Sequence, residues 1–469
     1  MTPIARHAPT AASLAVLPLT VGAGSAPFVF LSDGLPNGVA NRIGAAVPRI
    51  YVVGRRAQRR RSPTNATEIR ALGTELGARY LLAGSITGTR SEVRIAVTLF
   101  SAGSGKQVWQ RTFIYDSTGA LGLEQATAIE VAWRIIGPLT ASELQRLRRV
   151  QTARRAAYEW AMRGDVQTED PAAAAEAYRR AVQADPGFAG GYARLALADA
   201  TLLETGAMAS DASVWQKELP VTAERSVSLD TTSALAWLAA ARSRMLGGRA
   251  ANVWSEAFER ALRIDPSNPV VLREYGRALA QSGERARANS ILRRAALVDP
   301  GNAEVLMTLG ELAMADRRDG EACALLNEAI VQDALLAPVW ALRALVRARH
   351  EDLRFAWADA ETAERLGNVF LGESAAAMVD LVARDTARAQ ERLQSLWEQV
   401  RNRGSVGVRE GRAVAVALLA AKQPKRALDV LEAVRALGPW YYATLRDSNF
   451  DSVRNEPRFR ALASAQVGS

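Results

Sequence analysis

One cysteine and two histidines are all that these 469 residues offer of the side chains that most often bind metals or drive nucleophilic chemistry. Cys323 lies among Ala322, Ala324 and Leu325. Alone, it can close no internal disulfide and build no metal cluster, and its setting suits a small buried apolar residue. With only His7 and His350 present, histidine-based metal sites and Ser-His-Asp triads lack raw material. No apolar run approaches the roughly 18–20 residues that cross a bilayer, so no membrane anchor is expected. These shortages point away from an enzyme, and no catalytic, metal or cofactor-binding residue is assigned.

Acidic side chains are also in short supply, and the net charge is +10. The excess is local. Residues 1–140 hold 15 Arg/Lys against 7 Asp/Glu, whereas the remainder holds 44 against 42. Much of it is one cluster, Arg55, Arg56, Arg59, Arg60 and Arg61, which reads as a solvated loop or as a dock for an acidic partner. The cluster has no interleaved aromatics on which bases could stack, so no nucleic-acid partner is expected.

The first 140 residues alternate between strand and helix patterns. Leu14 to Leu19 reads as a strand, and Asp33 as the cap of a helix running to about Val47. Ile50 to Val53 reads as a short strand, and Thr64 to Leu76 as a helix with Ile69, Leu72 and Leu76 on one face and Gly77 as its stop. Three strand-like runs follow, Tyr80 to Thr87, Glu92 to Phe100 and Gln107 to Tyr115, separated by hairpin turns. A helix over Gly119 to Ile136 completes a small mixed sheet with flanking helices. The segment Gly103-Ser-Gly-Lys106 lacks phosphate-loop spacing and reads as a turn.

Beyond residue 140 the chain is helical and periodic. Asp230, Asp265, Asp299 and Asp333 end successive amphipathic runs at intervals of 35, 34 and 34 residues, the period of tetratricopeptide (TPR) hairpins. In the units beginning at Pro269 and Ala303, Gly276 and Gly310, Ala288 and Ala322, and Ala295 and Ala329 fall where helices must approach closely, and Leu292 and Leu326 fill the space between. Aromatics recur at the fourth position, as Tyr158, Tyr192, Trp237 and Trp340, and read as packing. The expected architecture is an N-terminal tail over 1–13, an α/β domain over 14–140, an all-α TPR superhelical solenoid over 141–436 with an insertion near 204–215, and a C-terminal tail segment over 437–469.

Several stretches resemble the TolB-like N-terminal domain that precedes TPR repeats in bacterial regulators. They are Ala15-Val16-Leu17-Pro18-Leu19, the Phe30 to Leu35 element, Gly73 to Ser85, Val93 to Leu99, Gly105 to Trp109, and a closing segment from Leu445 to Phe459. In that family the module often follows a winged-helix DNA-binding domain, a class III adenylate or guanylate cyclase, or a serine/threonine kinase. Too few residues precede Leu14 for such an effector, so the resemblance implies only sensing or docking. A second reading is the detached C-terminal regulatory half of an adenylate cyclase or winged-helix transcription regulator. The expected location is cytoplasmic. It becomes periplasmic if residues 1–26 are a signal peptide or the chain is a fragment of a membrane-anchored regulator.

In a right-handed stack of hairpins the first helix of each pair lines a concave groove. The residues that this geometry selects for partner binding are Leu238, Arg242, Arg273, Arg277, Met307 and Glu311, in a wall that also includes Leu235 and Glu304. The arginines suit an extended or helical peptide with acidic groups or a free C-terminus. The expected function is therefore a protein-interaction scaffold.

Overall fold

A computed structural model describes residues 12–22, 25, 28–53, 62–88, 92–115, 119–167, 170–205, 212–403, 406–435, 445 and 448–464. The arginine cluster 55–61, residues 1–11 and residues 206–211 of the expected insertion lie outside the described residues.

The N-terminal unit follows the order β1 (Ser13–Val21), α1 (Phe30–Ala46), β2 (Tyr51–Val53), α2 (Ala66–Leu76), β3 (Tyr80–Gly88), β4 (Val93–Ser101), β5 (Lys106–Ile114) and α3 (Gly119–Ile136). The strands form one mixed sheet in the order β2-β1-β3-β4-β5. β1 runs parallel to both of its neighbours, and β3-β4-β5 is an antiparallel meander. Ile69, Leu72 and Leu76 of α2 pack on Ala15, Leu17, Leu81 and Ala83 of one sheet face. The other face meets α1 and α3.

Local chemistry sets the helix ends. Asn65 caps α2 by accepting from the Glu68 amide at 2.9 Å, and its own amide donates to Glu68 Oε1 at 2.9 Å. Gly77 closes the same helix at φ +65°, a left-handed conformation that glycine adopts without a Cβ clash. The expected cap at Asp33 is corrected: α1 starts three residues earlier, at Phe30, and places Asp33 in its first turn. There the carboxylate faces the positive end of the helix dipole. Residues 102–105 form the β4–β5 turn, and Gly105 sits at φ +69°.

A short α4 (Ala141–Leu147) leads into the hairpin array. Its helices pair as α5 (Arg155–Asp165) with α6 (Pro171–Ala184), α7 (Ala189–Thr205) with α8 (Ala212–Leu229), and α9 (Ala234–Leu246) with α10 (Ala251–Ile264). Next come α11 (Pro269–Gln281) with α12 (Arg285–Val298), α13 (Ala303–Ala315) with α14 (Asp319–Gln332), and α15 (Ala337–Arg349) with α16 (Leu353–Arg365). The series ends with α17 (Val369–Val382) and α18 (Thr386–Arg403), then α19 (Val408–Ala420) and α20 (Pro424–Arg435). Each hairpin packs on the next, giving a solenoid-like stack of helices behind a small sheet. α7 and α8 have 17 and 18 residues where α9 and α10 have 13 and 14, so lengthened helices account for part of the wider spacing there.

The periodic Asp-Pro turns have a hydrogen-bonding reason. Asn268 Oδ1 caps α11 by accepting from the amides of Val270 and Val271 at 3.1 and 3.0 Å, and its Nδ2 donates to Asp265 Oδ2 at 2.9 Å. One period later Asn302 repeats the arrangement, accepting from the Val305 amide at 3.2 Å and donating to Asp299 at 3.0 Å. The fourth-position tryptophans bind the two equivalent turns that lack proline. Trp237 Nε1 donates to the Thr231 carbonyl at 2.8 Å, and Trp340 Nε1 to the Ala334 carbonyl at 2.9 Å.

The sheet unit and the first hairpins share one hydrophobic core, which runs from Leu14 through Tyr158 and Phe188 to Leu246 without a break at residue 140. Arg42 and Glu124 are fully buried within it at 2.5 Å, and Arg42 Nη1 also donates to the carbonyls of Leu147 and Arg149 at 2.9 and 2.8 Å. Further along the array, the Tyr51 hydroxyl donates to the Leu297 carbonyl at 2.6 Å, tying β2 to the end of α12. At the far end Phe450, Val453 and α21 (Pro457–Ser464) cover α19 and α20, with Phe459 and Leu462 in the core. The closing segment therefore caps the stack, as exposed ends of repeat arrays require. No helix among the described residues is long and apolar enough to cross a membrane.

Close approach within a hairpin is testable at its glycines. A Cβ on Gly276 would lie 2.5 Å from Leu292 Cγ, whereas one on Gly310 would lie 3.0 Å from Leu326. Gly276→Ala is expected to destabilise by about 1–3 kcal/mol through overpacking, and Gly310→Ala by less. Urea unfolding of the two variants checks the order, and an equal or reversed ranking contradicts the crossing geometry.

Candidate functional site

Charge gathers on the inner helices. Helices α7, α9, α11 and α13 are the first members of four successive hairpins, and together they carry Glu204, Arg242, Arg273, Glu274, Arg277 and Glu304. Arg242 Nη2 lies 2.9 Å from Glu204 Oε2, and Arg277 Nη2 lies 3.1 Å from Glu204 and 2.8 Å from Glu274. Arg273 reaches Glu274 at 3.0 Å and Glu304 at 3.3 Å. Three guanidinium groups and three carboxylates thus form one chain of ion pairs across neighbouring hairpins. Most of it is withdrawn from solvent, since the Arg242 and Glu274 side chains are 9% and 10% exposed.

Placement in this network shifts the ionisation of its members. Burial alone would raise the Glu274 carboxyl, but Arg277, Arg242 and Arg273 outweigh it and hold Glu274 well below the usual carboxylate range. Glu204 is also lowered, against its burial, by Arg242 and Arg277. Arg277 is buried too, yet Glu204 and Glu274 raise it further above the ordinary guanidinium value. All three stay charged across the physiological range.

The six residues singled out in the sequence separate into three groups. Arg242, Arg273 and Arg277 do converge, but they already hold carboxylates supplied by α7, α11 and α13. Leu238 and Met307 lie in the second hydrophobic core at 1% and 2% exposure. The expectation that both stand on an open groove wall is corrected, because the inner helices pack closely enough to enclose them. Glu311 is half-exposed, and its Oε1 accepts from Arg412 Nη1 of α19 at 3.1 Å. The sequence reading missed Glu204 and Glu274 as partners and Arg412 as a neighbour. Glu274 was detectable, because it sits one residue from Arg273 and three from Arg277, the latter a helical neighbour. Among the described residues no group of three His, Cys, Asp or Glu side chains is arranged to hold a metal ion.

A second charged feature lies deeper on α7. Asp199 is fully buried, and neither of its carboxyl oxygens accepts a hydrogen bond among the described residues. Arg179 of α6 lies 3.9 Å away and is shared with Glu218 of α8 at 3.4 Å. Burial outweighs the attraction of Arg179, and the Asp199 carboxyl is pushed up to about 7.

No family model matches the sequence, and no curated protein matches it. Several solved structures are similar at low identity. PilF of Pseudomonas aeruginosa is 18% identical, covering 46% of this chain and 92% of that one with a TM-score of 0.37. The Cut9–Hcn1 hetero-tetramer of the APC/C is 15% identical, covering 76% and 64% with a TM-score of 0.45. YrrB, described as a TPR protein with an unusual peptide-binding site, is 19% identical, covering 41% and 93% with a TM-score of 0.30.

Two stability predictions follow from the charges, with opposite pH signs. Glu274→Gln leaves the three arginines short of a counter-charge and is expected to cost about 3–5 kcal/mol at pH 7. The native carboxyl titrates below its unfolded value, so its contribution is complete above about pH 4.5 and declines on acidification. The gap between variant and wild type should therefore narrow in acid denaturation series, and a constant gap contradicts the network. Asp199 is the reverse case. Its folded value lies above the unfolded one, so its contribution to stability falls as pH rises from about 4 to about 7 and is flat beyond. Asp199→Asn is expected to remove that slope and to raise the thermal midpoint at pH 8, an effect on the order of a few kcal/mol. An unchanged slope rejects the assignment.

Proposed function

We propose that this chain is a non-enzymatic protein-interaction scaffold of the tetratricopeptide type, which receives a partner segment on the concave side of its hairpin array. The observation carrying this reading is the concentration of the Glu204–Arg242–Glu274–Arg277–Arg273–Glu304 network on one face of α7, α9, α11 and α13. Alanine, leucine and glycine between the hairpins account for the stacking. A buried ion-pair chain adds little to it, because apolar replacements are commonly as stable or more so. The acids this network leaves open on the same face, Glu304 and Glu311 at 55% and 31% exposure, do suit recognition, since complementary charge fixes the register of a docking segment and rejects wrong ones. The network does not suit proton transfer, since Glu274 and Arg277 titrate far from neutrality.

In this reading the sheet unit, with its resemblance to the TolB-like module, closes the first end of the array and holds it at fixed curvature through Arg42 and Tyr51. The test is site-specific photo-cross-linking in cells. A photoreactive residue at Glu304, the network's most exposed carboxylate at 55%, is expected to capture a protein that excess unlabelled chain competes away. The same residue at Glu256 on the outer helix α10, 58% exposed, is expected to capture none specifically. The reading fails if position 304 yields no adduct, or one no stronger than position 256.

A further inference from the structure

The chain itself reaches back to the helices that carry the ion-pair network. At the start of α19 a Cβ on Gly407 would lie 3.8 Å from the Thr205 carbonyl oxygen at the end of α7, and Val408 packs against the core of the sheet unit and first hairpins. One residue on, Arg409 Nη1 lies 3.7 Å from the Met307 sulfur of α13. Arg412 then pairs with Glu311 at 3.1 Å. α19 belongs to a hairpin six beyond that of α7 and three beyond that of α13, so none of these contacts is a stacking contact between neighbours. Glu410, on another side of the same turn, accepts from Asn368 Nδ2 at 3.1 Å and ties the turn to the start of α17.

We propose that the first turn of α19 is a built-in occupant of the recognition face, standing in for a partner helix that carries two basic side chains three residues apart beside a small apolar one. This rests on the concave face being the docking surface. The partner's charge follows from what is already neutralised. Arg242, Arg273 and Arg277 hold Glu204, Glu274 and Glu304, which leaves little call for an acidic ligand. Glu311 instead binds a cation arriving from outside its own hairpin. Arg409 and Arg412 are spaced i and i+3 and share a helix face, and Val408 supplies the apolar contact.

The contact is also weak enough to exchange. Arg412 and Glu311 are 36% and 31% exposed, and ion pairs at that exposure contribute little in water. What holds the turn near the face is the seating of α19 in its own hairpin and on α17, with Glu410 on Asn368, which supplies a high effective concentration of the two arginines. A competing helix therefore meets a face that is free only part of the time, and its apparent affinity is reduced by that fraction.

The experiment uses the full chain and a fluorescent peptide of residues 404–416, read by anisotropy. Arg409→Ala with Arg412→Ala is expected to tighten peptide binding at least tenfold over wild type, and Glu311→Arg added to that background is expected to abolish it. A second route leaves the recognition residues intact. Thr205→Cys with Gly407→Cys, in a Cys323→Ser background, is expected to lose peptide binding when oxidised and regain it on reduction. If the double alanine variant binds no tighter than wild type while Glu311→Arg still abolishes binding, self-occupation is wrong and the recognition face stands. If the peptide binds none of these chains, or binds regardless of Glu311→Arg, the proposed partner chemistry is wrong.

Discussion

Where α11 crosses α12, a β-carbon on Gly276 would fall 2.5 Å from Leu292, so the two backbones are as near as a leucine between them permits. In the next hairpin Gly310 and Leu326 repeat the approach. Interiors packed to this density transmit constraint from one layer to the next. The separation within a hairpin therefore constrains how each hairpin meets the next. The stack also brings the start of α19 against α7 and α13, and close packing of the first helices buries Leu238 and Met307.

Burial of this kind leaves charged groups few options. A glutamate with the exposure of Glu274 is costly unless it is paired, and it is surrounded by guanidinium groups from three positions on two helices. Each arginine is in turn shared between carboxylates on different hairpins, so the network binds α7, α9, α11 and α13 together in addition to neutralising charge. Asp199, one layer deeper, has no such compensation. Its single guanidinium neighbour is divided with Glu218, and the carboxyl meets its burial by holding a proton to higher pH. Asp199 and Glu204, both on α7, therefore respond to pH in opposite directions, according to how many arginines reach each.

Much of this architecture could be read before the coordinates, and the reasons are local. Strand and helix order in the sheet unit follows from alternation and from Gly77, whose left-handed conformation is written in its residue type. The hairpin period follows from Asp265 and Asp299, because an Asp-Pro-x-Asn turn satisfies its own polar groups within four residues. The turns within hairpins are less legible: Arg317 and Glu351 take, one and two periods on, the positive φ that Gly283 takes, with no glycine to reveal it. The site was legible only in part. Arg242, Arg273 and Arg277 could be placed on one face by helical spacing, but Glu204 lies 73 residues from Arg277, and Arg412 101 residues from Glu311. No periodic rule connects positions that meet only because the array curls.

A solenoid in principle offers binding surface along its whole length and can be extended at either end. Here the sheet unit covers one end and the segment from Phe450 to Leu462 covers the other. The sheet unit also reaches along the array to α12 through Tyr51. Both ends and part of the length are thus committed to internal contacts, and the hairpins between them cannot straighten without breaking one of these attachments. A face built on such a frame keeps its charges in register, which favours selectivity over adaptability. Its contact with α19, by contrast, is made of half-exposed groups that can be exchanged. On the scaffold reading proposed above, rigidity in the inner helices and looseness at the crossing are complementary: the first would fix what is recognised, and the second would allow the face to be vacated.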